Sequence, residues 1–376
     1  MKILCAGPTT MANNVREQLS VSKTNPDLDP TYAPYQRRVE AKLSALLHTT
    51  ATSFFMLGEG IMGLEAAIFS LVEPEDRVLV LSNGFFGGGF AEYVKHCGGK
   101  AHVLNFEYDK GIDIETLHVF LEQDHDFKVA TFVHCETPTG VTNDLVGISQ
   151  LLKRYGILVI TDCVSSMGGE DIHFDETGVD VMLGGSQKVL SAPVGLSLVT
   201  LSEDAKRAIA SRRTPILSYY LNFKNHYDFN GAPFPYTMNE NLIYAMDAAL
   251  DNLMAKDAVT LHRTYSELTR RIVTNAGLKL YAKDSFSNTV TAVKMPDGIP
   301  AEALLQTMRE RGIAISKGVS SFSDDLFRIG HMGENISYDN FLSLFEALDD
   351  SFRALGVTLN ASMKDAFLMA HLYGEV

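Results

Sequence analysis

The sequence predicts an α/β protein: a large domain built on a wound, mainly parallel sheet, followed by a smaller α+β domain. Three observations lead there. Five short apolar runs between positions 52 and 201 carry almost no polar interruption, as strands covered on both faces require. Segments with apolar residues every three or four positions alternate with those runs, which is the pattern of helices returning the chain to a parallel sheet. The length of 376 residues exceeds what one ordinary core organises, so two domains are expected.

The expected strands are "RVLVLSN" (77–83), "VATFVHC" (129–135), "GILVITD" (156–162), "VDVMLGG" (179–185) and "GLSLVTL" (195–201). In "GIMGLEAAIFSLV" the residues Ile61, Leu64, Ile68 and Leu71 fall on one helical face, and Pro74 closes the element. "DLVGISQLLKRYG" repeats likewise and stops at Gly156. A polar, aromatic, proline-bearing stretch over 222–237 separates this part from the C-terminal region. Helices are expected over 240–253 and 258–276. Short strands in "SNTVTAVKM", "GIAIS" and "LFRIG" then surround the helix "PAEALLQTMRERG", and a last helix is expected over 338–355. Residues 1–255 are assigned to an N-terminal arm and the large domain, and 256–376 to the small one. The tail over 358–376 is weakly helical and receives no place in this scheme.

Composition excludes several classes. Lys plus Arg number 32 against 46 Asp plus Glu, a net charge of −14, which argues against a nucleic-acid surface or attraction to anionic lipid. No apolar run is long enough to span a membrane. "MKILCAGPTTM" has too short an apolar stretch for a signal peptide, so a cytoplasmic location is expected. Cys5, Cys97, Cys135 and Cys163 show no CxxC or Cys/His ligand spacing; reduced thiols and no metal are expected.

The chemistry-bearing residues gather at strand ends. In wound sheets, ligands bind outside the carboxyl ends of the strands. Here those ends carry Phe86, then Thr137, then Asp162 with Val164, then Gln187 with Lys188. Gly58-Glu59-Gly60 leads straight into a helix and can offer bare backbone N–H groups to a phosphate. A carboxylate at a rigid strand end, Asp162, can hold a proton on a heteroaromatic nitrogen. A lysine among apolar groups and near another cation, Lys188, becomes a nucleophilic amine. Phosphate cradle, ring-nitrogen carboxylate, flat Phe86 and amine together describe a pocket for pyridoxal 5′-phosphate. The chain has no GxxxxGK[ST], so the P-loop reading falls away.

The order "GEGIMGLEAA … LVLSNGFFGGG … HCETPTGV … ITDCVSSMGG … VDVMLGGSQKVLSAPVGLS … FRIGHMG" resembles the class V, fold-type I pyridoxal-phosphate aminotransferases, and among them the alanine–glyoxylate and serine–pyruvate enzymes. The resemblance runs from Ala6-Gly7-Pro8-Thr9 to about Leu355. It implies a seven-stranded sheet, a homodimer and a ping-pong transfer of an amino group from a small amino acid to a 2-oxo acid. It also implies Lys188 as the Schiff-base lysine and proton carrier, with Asp162 against the ring nitrogen. By the same resemblance Val164 is expected under one ring face and Phe86 over the other, with Thr137 meeting the phenolic oxygen. The family's phosphate loop aligns with Glu59, Gly60 and Ile61, where Ser-Gly-Thr is more usual. A glutamate there repels phosphate if it points inward, so the backbone of Gly60 and Ile61, with Gln187, is expected to carry the phosphate. Thr237 is expected to reach the phosphate of the partner subunit. Phe234 stands where relatives often place a tyrosine. Arg328 matches the arginine that clamps the substrate α-carboxylate. His134, Glu136, His331 and Asp324 are read as structural polar residues.

A desulfurase or related lyase of the same fold is the alternative. Those relatives carry a histidine before the lysine and another over the ring, where this chain has Gln187 and Phe86; they also need a late loop cysteine, and none follows Cys163. A non-catalytic binding protein is opposed by intact Lys188, Asp162 and Arg328. The donor is left open, with alanine, serine, ureidoglycine and aminoethylphosphonate all used on similar folds.

Overall fold

The computed structural model describes residues 1–21, 24–228, 234–320 and 323–376. Seven strands form the main sheet: β1 (Thr52–Leu57), β2 (Arg77–Ser82), β3 (Lys100–Asn105), β4 (Val129–Val133), β5 (Leu158–Asp162), β6 (Val181–Gly185) and β7 (Leu196–Leu201). Their spatial order is β1-β7-β6-β5-β4-β2-β3. Only β7 runs against its neighbours, so the carboxyl ends of the other six point to one edge.

The apolar runs are continuous because both faces are covered. Val78, Val80, Val129, Val133 and Val181 face a core that includes Leu64, Ile68 and Phe90. Leu79, Leu81, Ala130, Phe132 and Met182 face the opposite core, with Ile148, Leu151 and Ile243. The covering helices include α1 (Gly60–Leu71), α2 (Phe85–His96), α3 (Leu145–Arg154) and α4 (Glu240–Met254). Both α1 and α2 begin at the carboxyl edge, directly after β1 and β2, and so point their N-termini at it. Two strands lie beyond the five expected. β3 is an edge strand, largely exposed, and its mixed composition hides it. β1 is buried along its centre but comes after a polar run, "HTTATS", that blurs its start.

Residues from α5 (Ala258–Asn275) onward build a second core. Its sheet contains β8 (Lys279–Leu280), β9 (Val290–Lys294), β10 (Ser316–Lys317) and β11 (Leu326–Gly330) in the order β8-β9-β11-β10, antiparallel throughout. Helices α5 and α6 (Ala301–Glu310) pack on it, α7 (Tyr338–Ala354) packs on α6, and α8 (Met363–Leu372) packs on α7 and α5. The expected strand "GIAIS" divides: Ile313–Ala314 pairs with Lys2–Ile3, and Ser316–Lys317 joins the sheet. That pairing carries Leu4 into this core. The C-terminal tail forms α8, whose Phe367 is fully buried against Phe345 and Tyr338. Among the described residues, no helix is long and apolar enough to cross a membrane.

Candidate active site

The carboxyl edge of the main sheet carries Glu59, Phe86, Thr137, Asp162, Val164, Gln187 and Lys188, whereas Arg328 comes from the small-domain sheet. Asp162 ends β5 and is buried. Its Oδ1 accepts from the Val164 N–H at 2.8 Å, the only hydrogen bond to this carboxylate among the described residues. Burial pushes its pKa up to about 6, while Lys188 pulls the other way. Val164 lies against two glycines: a Cβ on Gly60 would meet its Cγ2 at 2.9 Å, and one on Gly185 would meet Cγ1 at 3.0 Å. Small residues there leave a flat floor between β6 and the start of α1.

Lys188 comes three residues after β6, on a loop closed by Ser186 and Pro193. Its Nζ donates to the Ala6 carbonyl at 2.6 Å. The N-terminal segment thus covers the lysine, and Gly7 is required for it: at φ +91° its missing Cβ would lie 2.4 Å from Lys188 Cδ. Burial, and then the nearby Arg328 guanidinium, lower the Lys188 pKa from 10.5. Both effects raise the neutral, nucleophilic fraction.

Arg328 sits at the centre of β11 and is 9% exposed. Its Nε donates to the Lys317 carbonyl at 2.8 Å and its Nη1 to the Thr137 carbonyl at 3.1 Å. Burial lowers its pKa to about 10, and no carboxylate pairs with it among the described residues. A buried guanidinium with no anionic partner is costly unless an anion visits. Thr137 is buried, with its hydroxyl bonded to Ser165. Phe86, the second residue of α2, is half-buried and edge-on to Phe85 at 5.3 Å.

The expected phosphate seat differs. Glu59 turns inward and caps its own helix, its Oε2 accepting from the Ile61 N–H at 2.9 Å. Its Oε1 accepts from Gln187 Nε2 at 2.6 Å. So the Ile61 N–H and the Gln187 amide, both expected to hold phosphate, are held by a carboxylate instead. One cause is local, since the orphan donors of a helix N-terminus take the nearest acceptor; the other is the Gln187 amide that the fold brings alongside. Gln187 Oε1 is left buried with no partner, pointing to a missing donor. Thr237 is exposed and donates to Asp27 Oδ2 at 2.5 Å, rather than to any residue of this cluster. Phe234 is 9% exposed and packs edge-on to Tyr32 at 5.8 Å.

The polar neighbours divide. His134 is buried with Nδ1 2.9 Å from Ser166 Oγ, and burial lowers its pKa to about 4, so it stays neutral. His331 is buried between Thr291 and Asn288, its pKa lowered to about 3 by burial. Asp324 lies at an exposed turn. Glu136 is fully buried beneath the start of α2, and burial raises its pKa to about 7. Ser165 and the Ala6–Gly7 cover escaped the sequence reading; only the Gly-Pro pair hinted at the latter.

This set fits a pyridine ring carrying an aldehyde: an amine, a carboxylate with an oxygen to spare and a glycine-lined floor. It does not present a free phosphate seat. A profile of the family described as aminotransferase class-V matches residues 36–330. The chain belongs to that family. It is therefore an aminotransferase of class V, with the fold-type I architecture. It is 32% identical over 343 residues to a pyridoxamine–pyruvate transaminase of Mesorhizobium japonicum, covering 88% of this chain and 86% of that one. Alanine–glyoxylate aminotransferase of Oryctolagus cuniculus is 29% identical over 371 residues, covering 94% and 89%. The crystal structure of a ureidoglycine–glyoxylate aminotransferase from Bacillus subtilis superposes with a TM-score of 0.94 at 26% identity, covering 99% of this chain and 98% of that one.

Proposed function

We propose that this aminotransferase moves an amino group between a small α-amino acid and a 2-oxo acid, at a pyridoxal-type ring tied to Lys188. The observation that carries the reading is Arg328, a buried guanidinium with no carboxylate of its own, lying close enough to Lys188 to lower its pKa. Arg328 takes the substrate carboxylate and orients the α-carbon toward Lys188. Lys188, as the neutral amine, would take the α-proton and later give a proton back. Asp162 keeps the ring nitrogen protonated, and Val164 and Phe86 hold the two faces. Thr137 meets the phenolic oxygen. The bound ring supplies the electron sink for the pair left on the α-carbon. When the ring carries a phosphate, Gly60, Ile61 and Gln187 are its nearest donors, with the partner subunit's Thr237 across a homodimer interface.

Glu59 favours a second reading, in which the ring has no phosphate and is itself the amino donor. A phosphate within about 4 Å of this carboxylate is repelled by roughly 4 kcal/mol per unit charge at an effective dielectric of about 20. The helix N-terminus returns only about 0.3–2 kcal/mol. Repulsion wins. A neutral hydroxymethyl group in the same place donates to Glu59 or to the orphaned Gln187 Oε1. Pyridoxamine then passes its amino group to a small oxo acid, the chemistry named for the Mesorhizobium relative.

Titration of the protein with pyridoxal and with pyridoxal phosphate separates the two. The second reading expects wild type to bind pyridoxal the more tightly, and Glu59→Ser to reverse that order. Tight phosphate-ring binding by wild type, unchanged in Glu59→Ser, sinks it and leaves the first. Covalent capture of neither ring sinks both.

A further inference from the structure

Glu136 has an unusual set of contacts for a residue that none of the proposed chemical steps uses. It is 0% exposed, and both carboxylate oxygens face the first turn of α2: Oε1 accepts from the Gly87 N–H at 2.6 Å, and Oε2 from the Phe86 N–H at 3.2 Å. The N-cap of that helix, Gly84, has no side chain to serve these donors. A distant strand end supplies the cap instead, and glycines make room for it. A Cβ on Gly84 would lie 2.2 Å from Glu136 Cδ, and one on Gly87 would lie 3.2 Å from Oε1. The carboxyl group also lies at the positive end of the α2 dipole.

The same short segment reaches two other parts of the site. Thr137, the next residue, offers its carbonyl to Arg328 Nη1 at 3.1 Å and its hydroxyl to Ser165. The segment Cys135–Glu136 is itself fixed by pairing with Val141–Thr142. One rigid turn therefore touches the backbone of the proposed ring lid and the proposed carboxylate clamp.

We infer that Glu136 is the positioning residue of the site: by capping α2 from β-structure it fixes Phe86 over the ring and ties that lid to the Thr137–Arg328 contact. The inference rests on the proposed reading of Phe86 and Lys188. Glutamine at this position keeps one accepting oxygen but turns an N–H toward the Phe86 N–H, so the first turn of α2 must shift. Phe86 shifts with it.

The test is a double-mutant cycle on binding, with pyridoxal and pyridoxal phosphate each used as the probe. Wild type, Glu136→Gln, Phe86→Ala and the double variant are titrated, and circular dichroism of the bound ring is recorded. Thermal unfolding of each variant controls for the fold. Glu136→Gln is expected to weaken ring binding about five- to tenfold, the effect of one lost hydrogen bond, and to lower the ring's dichroism. In the Phe86→Ala background the same change is expected to cost less than about twofold, because the lid it positions is gone. Equal factors in both backgrounds, or a Glu136→Gln protein with wild-type affinity and dichroism, overturn the inference. If Glu136→Gln does not fold, Glu136→Asp, which withdraws the carboxylate without adding a donor, is read by the same criteria. Wild type that captures neither ring at Lys188 overturns this inference together with the functional reading, whereas capture with additive variants overturns this inference alone.

Discussion

At the scale of single residues, Asp162 works against its own environment. Its folded pKa of about 6 lies above the ordinary 3.8 because burial penalises the charged form. Between those values the folded chain binds the proton more readily than the unfolded chain does. This group's contribution to stability is therefore full below pH 3.8 and is lost as pH rises through about 6. The gap corresponds to about 3 kcal/mol, an order-of-magnitude figure. Asp162→Asn keeps an oxygen for the Val164 N–H and removes the charge. The ligand-free variant is expected to melt higher than wild type at about pH 8, with the advantage shrinking toward about pH 4. Its half-reaction with an amino acid is expected to slow about a hundredfold or more, as for a lost electrostatic partner. A variant that melts lower, with unchanged single-turnover rate, would remove Asp162 from the mechanism and show it to be structural. Arg328 was pointed to by the family resemblance alone, whereas the placement of Asp162 and Lys188 at strand ends was legible from the wound-sheet pattern. The direction of Glu59 was not: whether a carboxylate turns in to cap its own helix or out to solvent is decided by Gln187, 128 positions away.

At the scale of elements, strands buried on both faces announced themselves through unbroken apolar runs. Edge and terminal pieces did not. β3 is half polar because it faces solvent, and α8 has a short apolar face whose partners lie on α7. Phe367 on α8 is fully buried. Phe367→Ala is therefore expected to cost about 3–5 kcal/mol, the range for deleting a buried aromatic ring, in urea unfolding. A cost below about 1 kcal/mol would show that the tail lies outside the cooperative core. Lys2–Ile3 illustrates the same limit: two residues are too few to read as a strand, yet they place Leu4 in the C-terminal core and bring Ala6–Gly7 over Lys188.

At the scale of the whole molecule, the proposed homodimer rests on surface that a single chain leaves open. Leu217 is 83% exposed, and Tyr219 and Tyr220 are each more than half exposed. Exposed apolar and aromatic side chains grouped this closely along the chain suit an interaction surface. Sedimentation is expected to give twice the chain mass of 41.3 kDa; a fully active species at the single-chain mass contradicts the dimer and the role of Thr237.

One bond, between Lys188 and a pyridoxal-type ring, underlies every proposed step. Borohydride reduction of wild-type protein equilibrated with pyridoxal, and separately with pyridoxal phosphate, with peptide mapping of the products, tests it most directly. The expected result is one modified peptide, containing Lys188, with at least one of the two rings. Modification of a different lysine, or no covalent product with either ring, contradicts it.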